Sequence, residues 1–144
     1  MKIKFKITTP EKNVYEDEID QLTVMTEAGE ITVLPNHIPL VTLLRPGEMR
    51  VKKDKEEIPM AVAGGFLEVR LNSEVVILAD AAERVEEIDE ALVEAARKKA
   101  EEALKEKFNT ADYREAALAL EYEMYRLNLV RKYRHKKSNV RTSS

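Results

Sequence analysis

The sequence predicts an α+β protein in two parts, a β-sandwich or flattened barrel followed by an antiparallel hairpin of two helices. At the start of the chain Ile3, Phe5 and Ile7 alternate with lysines, so that one face of a strand can be buried. Short β-type runs bounded by turn residues then continue to about residue 80, and no long helical run interrupts them. Beyond residue 85 the composition changes to Ala, Glu, Lys and Leu at helical spacing. We therefore expect a sandwich over residues 1–84 and a hairpin over residues 85–137.

The strands of the first part follow one another closely. Such spacing is typical of an antiparallel sandwich or barrel and argues against a parallel sheet with crossover helices. Pro35-Asn36 and Pro46-Gly47 are expected to be turns, and Gly64-Gly65 is expected to form a tight turn or bulge rather than a ligand contact. After the first strand the expected β-type runs cover residues 19–25, 30–34, 38–44, 48–53, 58–63, 65–71 and 74–79.

The second part has signals for two helices. Asp89 fits the N-cap of the first, and Ile88 with Val93 fits a hydrophobic staple. The residues expected on its apolar face are Leu92, Ala96, Ala100, Ala103 and Leu104. Asn109 or Thr110 is expected to cap the second helix, whose apolar seam has heptad spacing and comprises Tyr113, Ala117, Leu120, Met124 and Leu127. Residues 138–144 are expected to be a disordered tail.

Composition excludes several classes of function. The chain has no cysteine, which rules out disulfides, thiolate metal sites and cysteine nucleophiles. No apolar run approaches the roughly 20 residues of a membrane span, and the start lacks the apolar core of a signal peptide, so we expect a cytoplasmic location or its equivalent. The net charge of −3 argues against a general nucleic-acid binder. The last 21 residues nevertheless hold seven basic side chains and no acidic one.

Residue patterns for catalysis are missing. The four glycines form no phosphate-binding loop, and the two histidines, His37 and His135, fall in different halves of the chain. The acidic residues between positions 80 and 87 are expected to be solvated, and we expect no metal site. The basic C-terminal segment fits an acidic protein surface, phosphates or a merely solubilising end.

Five stretches, in this order, resemble one family. They are GEITVLPNHIPL (29–40), LRPGEMRV (44–51), VAGGFLEVR (62–70), VVILADAAER (75–84) and IDEA (88–91). They are similar to the epsilon subunits of bacterial and chloroplast F-type ATP synthases, the counterparts of mitochondrial delta subunits. The resemblance covers about residues 1–134 and implies a sandwich of about ten strands followed by two helices. It also implies a non-catalytic subunit of the central stalk, which couples proton flow to ATP synthesis on other chains.

The resemblance further implies partners and contact residues. The sandwich would bind the gamma subunit and the ring of c subunits, with Glu30 and His37 at the family's contact positions. Thr32, Asn36 and Ile38 stand where Gly, Gly and Ala are common in the family. Asn36 should keep the turn because asparagine tolerates left-handed backbone. The protein would reach a membrane only through its complex, at the cytoplasmic face in a bacterium or the stromal thylakoid face in a plastid.

The hairpin of the family inhibits ATP hydrolysis when it extends into the catalytic head of alpha and beta subunits. The basic residues of the second helix are expected to meet an acidic segment there; they are Arg126, Arg131, Lys132, Arg134, Lys136 and Lys137. Some relatives bind ATP on the folded hairpin. Ile88, Asp89 and Arg126 match that ATP-binding motif, but Leu92 and Val93 replace its arginine and alanine. We therefore expect weak ATP binding or none, and no other cofactor.

Two alternatives to a stalk subunit remain. One is an independent module whose basic C-terminal helix binds nucleic acid; the acidic remainder of the chain opposes it. The other is a small enzyme, for which the missing nucleophile, metal and phosphate motifs leave little room.

Overall fold

The computed structural model describes the backbone of residues 1–142 and the side chains of residues 1–134. The chain divides into two compact units, residues up to Arg84 and residues from Val85 onward. The first unit contains the nine strands found among the described residues, and the second contains two long helices. The predicted sandwich and helical hairpin are therefore confirmed, with nine strands in place of about ten.

Short turns connect most of the strands. The strands are β1 Ile3–Thr8, β2 Asn13–Ile19, β3 Gln21–Thr26, β4 Gly29–Val33, β5 Leu40–Lys53, β6 Glu56–Val62, β7 Gly65–Arg70, β8 Glu74–Ala79 and β9 Ala82–Arg84. The runs predicted at residues 19–25, 30–34, 65–71 and 74–79 overlap the observed strands β3, β4, β7 and β8, whereas β2 and β9 were not predicted over most of their length.

The long strand β5 joins two groups of strands. Its first half pairs with β7, and this group continues through β8 and β1 to β2. Its second half pairs with β3 and β6, and these lead to β4 and β9. The described pairings are antiparallel except for β1 with β8, which are parallel. Alternation of apolar residues gives no information on strand direction, so the parallel pair could not be predicted.

The turn predicted at Pro46-Gly47 is wrong, because β5 runs through this position. Leu44 is the last residue paired with β7, and Gly47 is the first paired with β6. Pro46 lies between these pairings, where its missing N–H removes no ladder hydrogen bond. Against β3 the same segment is a bulge, because Leu44 and Met49 face Thr26 and Val24. The proline therefore bends a continuous strand instead of ending it.

The sandwich core has the predicted two-residue period. Ile3, Phe5 and Ile7 are at most 1% exposed, while the lysines between them are exposed. Burying one such side chain stabilises the fold by about 1.5–3 kcal/mol. Fifteen further buried side chains complete the cluster: Tyr15, Ile19, Leu22, Val24, Val33, Leu44, Met49, Val51, Met60, Val62, Leu67, Val69, Val75, Ile77 and Ala79.

The helices of the second unit are α1, Glu90–Glu106, and α2, Tyr113–Thr142, preceded by a 3₁₀ turn over Val85–Glu87. The predicted N-cap is confirmed, because the Asp89 carboxylate accepts hydrogen bonds from the backbone N–H groups of Ala91 and Leu92. The predicted cap of α2 at Asn109 or Thr110 is wrong. Asn109 has φ 64° in the connection, and Asp112, next to the helix, accepts the first helical bond from Ala116.

Most of the predicted inward positions of the helices are half-buried or buried, but each predicted face has exposed members. On α1 Leu92 is 69% exposed while the adjacent Val93 is 1% exposed, and on α2 Met124 is 49% exposed. The half-buried predicted positions are Ala96, Ala100, Ala103, Leu104, Ala117 and Leu120. Successive residues of a helix point about 100° apart, and the spacing of apolar residues can fit two adjacent choices of the inward face almost equally well. Leu127 is buried as predicted.

Helix α2 continues to Thr142, whereas a disordered tail was expected from residue 138. No Gly or Pro interrupts the helix. Residues 143–144 lie outside the described residues.

Candidate functional site

The turn after β4 is the best-defined part of the first candidate surface. The His37 N–H donates to the Leu34 carbonyl oxygen at 3.2 Å and closes a four-residue turn. Pro35 is its second residue, and Asn36 is its third with φ 66°, the combination typical of a type II turn. The expectation that Asn36 preserves this turn is confirmed.

The same asparagine ties the turn to a second one, between β7 and β8. Its backbone N–H donates to the Ser73 hydroxyl at 2.8 Å, and that hydroxyl is 3.3 Å from the Asn36 side-chain oxygen, to which it donates. Ser73 is only 8% exposed, so water competes little for these bonds. A glycine at position 36 would make the turn but not the side-chain bond. Asparagine therefore adds a second hydrogen bond between the two turns to the one that the backbone N–H already makes.

Three large apolar side chains surround this pair of turns. Leu34 and Ile38 flank the first turn and Leu71 precedes the second, and they are 52%, 75% and 72% exposed. We call Leu34, Ile38 and Leu71 the apolar tip. Soluble proteins rarely leave apolar groups clustered in water without a partner that covers them. The apolar tip is therefore a candidate contact surface.

His37 is half-buried beside the apolar tip. Its ring Nδ1 lies 2.6 Å from the carbonyl oxygen of Ile38. A carbonyl oxygen only accepts, so Nδ1 donates this hydrogen bond and Nε2 is left for an external partner. This geometry suits a directional hydrogen bond to a partner.

Glu30 lies on β4 and not in the turn with His37. Four residues of strand, at about 3.3 Å each, put it roughly 13 Å from Leu34, where the turn begins. Its carboxylate is 3.5 Å from an Arg50 guanidinium nitrogen, and Arg50 also lies 3.7 Å from Glu48. The two predicted contact residues are therefore held by different parts of the sandwich.

A second apolar surface crosses β5, β7 and β8. Leu43, Phe66 and Leu78 are in register on neighbouring strands, and Val41 lies two residues before Leu43. Their exposed fractions range from 40% to 69%. We call these four residues the apolar row. Sequence reasoning missed it, although the run Leu40–Leu44 has apolar residues of both parities, which indicates a strand with two apolar faces.

The basic residues of α2 are engaged within the second unit. Arg126 forms an ion pair with Glu123 at 2.8 Å, and its guanidinium lies 5.5 Å from the Tyr122 ring. Arg131 and Arg134 contact the start of α1 instead of pointing away from it. Lys132 lies 5.1 Å from the Tyr133 ring, and Lys136 and Lys137 lie outside the side chains that the structure describes.

The partial ATP motif has other structural uses. Ile88 is 2% exposed, and the Asp89 carboxylate caps α1. Arg126 is paired with Glu123, and Leu92, at the position where the resemblance implies an arginine, is an exposed apolar side chain. Among the residues with described side chains, no group of three His, Asp or Glu is placed to hold a metal ion. In that same part of the chain no helix is long and apolar enough to span a bilayer.

Two family models match the chain in succession. "ATP synthase, Delta/Epsilon chain, beta-sandwich domain" matches residues 2–85, and "ATP synthase, Delta/Epsilon chain, long alpha-helix domain" matches residues 86–131. The ATP synthase epsilon chain of Herpetosiphon aurantiacus is 40% identical over 136 residues, which are 94% of this chain and 99% of that protein. The epsilon chain of Bacillus velezensis is 43% identical over 127 residues, 88% of this chain and 96% of that protein.

Solved structures of ATP synthases contain chains with the same fold. A chain of the mitochondrial ATP synthase of Euglena gracilis, in a structure of OSCP, F1 and the c-ring, superposes with a TM-score of 0.67. It is 26% identical, and the match covers 85% of this chain and 78% of that chain. A chain of the central stalk and c-ring structure from Tetrahymena thermophila has a TM-score of 0.57 at 18% identity, over 92% and 96% of the two chains.

Proposed function

Because the chain belongs to the delta/epsilon family of ATP synthase subunits, we propose that it is a non-catalytic rotor subunit in the central stalk. It would couple proton flow to ATP synthesis on other chains and restrain ATP hydrolysis through its helices. The observation that carries the proposal is that both domain models match in order over residues 2–131. The comparisons do not support the nucleic-acid-binding alternative.

We assign the binding of the gamma subunit and the c-ring to the sandwich. The apolar tip and the apolar row support this assignment, because both leave large side chains in water. His37 would add a hydrogen bond through Nε2, while Glu30 would contribute from the strand, where Arg50 orients it. Exposed ion pairs add little affinity, so the apolar side chains would supply most of it and the polar ones would set the register.

We assign inhibition of ATP hydrolysis to the basic part of α2. In an extended state of the hairpin, its cations would meet acidic residues of the catalytic head and favour that state by a few kcal/mol in sum. These contacts would weaken at high salt. The candidates are Arg126, Arg131, Lys132, Arg134, Lys136 and Lys137, of which Arg126 is already paired with Glu123.

ATP would be at most a weak regulatory ligand of this chain, and no other cofactor is proposed. Asp89 already accepts two backbone hydrogen bonds, and Leu92 offers no charge to a phosphate. An ATP titration of the isolated protein followed by calorimetry should give no micromolar affinity. A dissociation constant in that range would contradict this part of the proposal.

The chain would reach the membrane only as a peripheral subunit of its complex. In a bacterium this position is the cytoplasmic face of the plasma membrane, and in a plastid it is the stromal face of the thylakoid. The epsilon chains that it resembles at 40% and 43% identity come from bacteria, which favours the first.

The assembly is tested with one substitution in each unit. Ile38→Asp puts a charge on the apolar tip, and Leu92→Asp is the matched control, because the two side chains are 75% and 69% exposed. Detergent-solubilised ATP synthase should retain the Leu92 variant and lose the Ile38 variant, with at least a tenfold weaker affinity for gamma plus c-ring. Equal retention of both variants would exclude the apolar tip as a contact, and a wild-type chain that does not co-purify would exclude the rotor role.

The braking role is tested by charge reversal. Changing Arg131, Lys132 and Arg134 to glutamate should raise the ATPase activity of the assembled enzyme. Reversal of the exposed Lys98, Lys99 and Lys105 on α1 controls for the change of net charge. An activity unchanged by the first set, or raised equally by both, would contradict the braking role.

A further inference from the structure

Two arginines of α2 connect the late part of that helix to the start of α1. The Arg131 Nε lies 3.1 Å from a Glu90 carboxylate oxygen, and its Nη2 lies 3.3 Å from a Glu94 oxygen. One turn further, Arg134 donates to the Ile88 carbonyl oxygen and lies 3.8 Å from the second Glu90 oxygen. Each guanidinium thus has two acceptors on the other side of the hairpin.

The contacts extend into a network along α1. Arg97 lies 2.6 Å from Glu94 and 3.1 Å from Glu101, so Glu94 is shared by two guanidiniums. The hydrogen bond from Arg97 lowers the pKa of the Glu94 carboxyl, with a smaller contribution from the charge of Arg131. Glu94 therefore stays ionised and available to Arg131 at neutral pH.

Apolar packing in this hairpin is limited on the side of α1. Val93 is the one buried residue within α1, whereas α2 buries Ala116, Leu127, Leu129 and Val130. A cleft of about 240 Å³ opens beside Glu94, Arg97 and Arg131. Most of the stability of a helix in a protein comes from packing of its apolar face, and α1 packs little apolar surface. Ion pairs across the hairpin therefore carry a larger share of its closure than they would in a well-packed bundle.

We propose that Arg131 and Arg134, held by Glu90, Glu94 and the Ile88 carbonyl, form an ionic latch that keeps the hairpin closed. The same two guanidiniums belong to the set assigned to braking. A guanidinium bound to Glu90 is not free to bind a carboxylate of the catalytic head, so latch and brake exclude each other. This regulatory consequence rests on the proposed function, whereas the latch itself does not.

The latch makes closure depend on ionic strength. The Arg131 and Glu90 side chains are 51% and 41% exposed, so salt screens their attraction. Raising the salt concentration should therefore open the hairpin and release the two arginines. Acidic residues of a partner would compete for them in the same way, by binding the open state better than the closed one.

The latch is tested on the isolated full chain by amide hydrogen exchange in α1, with the sandwich strands as an internal reference for unfolding. Glu90→Gln/Glu94→Gln and Arg131→Gln/Arg134→Gln should each raise α1 exchange about two- to tenfold. In the variant with all four changes, α1 should exchange no faster than in the faster of the two double variants. This cycle cancels effects of each change on its own helix. Two results would overturn the latch. One is a fourfold variant in which the increases in α1 exchange rate caused by the two double variants multiply. The other is a pair of double variants whose α1 exchange is no faster than that of the control Glu102→Gln/Glu106→Gln.

Salt gives a second readout of the latch. Exchange in α1 of the wild-type chain should rise with salt, and that of Glu90→Gln/Glu94→Gln should rise much less. The same salt response in both chains would also overturn the latch.

The assembled enzyme separates the latch from the brake. Glu90→Gln/Glu94→Gln frees the arginines and should lower ATP hydrolysis, whereas Arg131→Gln/Arg134→Gln removes them and should raise it. If exchange responds as expected but hydrolysis does not change, the latch stands and the braking role fails. If exchange does not respond, the latch fails whatever the hydrolysis rate is.

Discussion

Replacing Gly65 by alanine should destabilise the sandwich far more than the same change at another glycine. Gly65 is the first residue of β7, where it faces Leu44 and Ala79 on the two neighbouring strands. A Cβ at this position would lie 2.1 Å from the Leu78 carbonyl oxygen and 2.8 Å from the Ala79 Cα. The backbone φ of +132° adds strain for any residue with a side chain.

The cost follows from two sources. A side chain forced into this region of φ costs about 1–3 kcal/mol. Relief of the overlap requires β7 and β8 to separate by about 1 Å, and overpacking of this kind costs a further 1–3 kcal/mol or so. Their sum is about 2–6 kcal/mol, and one kcal/mol lowers the Tm of a domain of this size by roughly 4–8 °C. We therefore expect the sandwich to melt at least about 8 °C lower.

The assay is urea unfolding followed by methyl NMR signals of Ile3 and Ile77, which are both fully buried in the sandwich. Gly29→Ala is the matched control, because Gly29 has a similar φ of +114° but no atom within 4 Å of the added Cβ. The control should show the backbone strain without the overlap. If the two substitutions differ by less than about 0.5 kcal/mol in unfolding free energy, the close approach of β8 does not constrain this position.

Two further changes test local electrostatics. Asp89→Ala should cost α1 about 0.5–2 kcal/mol and speed hydrogen exchange in its first turn, while Asp89→Asn, which keeps an acceptor, should cost little; equal effects would contradict the cap. The hydrogen bond from Lys53 lowers the pKa of the Asp17 carboxyl, with a smaller contribution from the Glu18 N–H. Its stabilisation is therefore present above the ordinary aspartate pKa and is lost as the pH falls below it. The urea midpoint of Asp17→Asn should consequently depend less on pH below about pH 5 than that of the wild-type chain, and equal slopes would contradict the pairing.

The sequence was informative wherever a short segment decides its own structure. Burial of Ile3, Phe5 and Ile7 followed from alternation, and the Asp89 cap followed from residue type and position. Prediction failed where two interpretations of one segment differ little in energy. Pro46-Gly47 fits a turn or a bend inside a strand, and Leu92 and Val93 are alternatives for the inward position of α1.

The candidate surfaces were predicted less completely than the fold. His37 and Glu30 were identified by resemblance, but nothing in the sequence places Ser73 against Asn36, 37 residues earlier. The apolar tip exists only because those two turns meet. Likewise, the basic character of α2 is visible in the sequence, whereas the positions of Arg131 and Arg134 opposite Glu90 are not.

Sequence alone therefore determined the two parts of the chain, the buried face of the first strand, the start of α1 and the family. These depend on periodicity, capping and residue order, which act over a few neighbours. Tertiary structure decided the course of β5, the parallel pairing of β1 with β8, the meeting of two turns at the apolar tip and the pairing of arginines across the hairpin. Each of these depends on the register between segments distant in the chain, and register is set by packing that no single segment encodes.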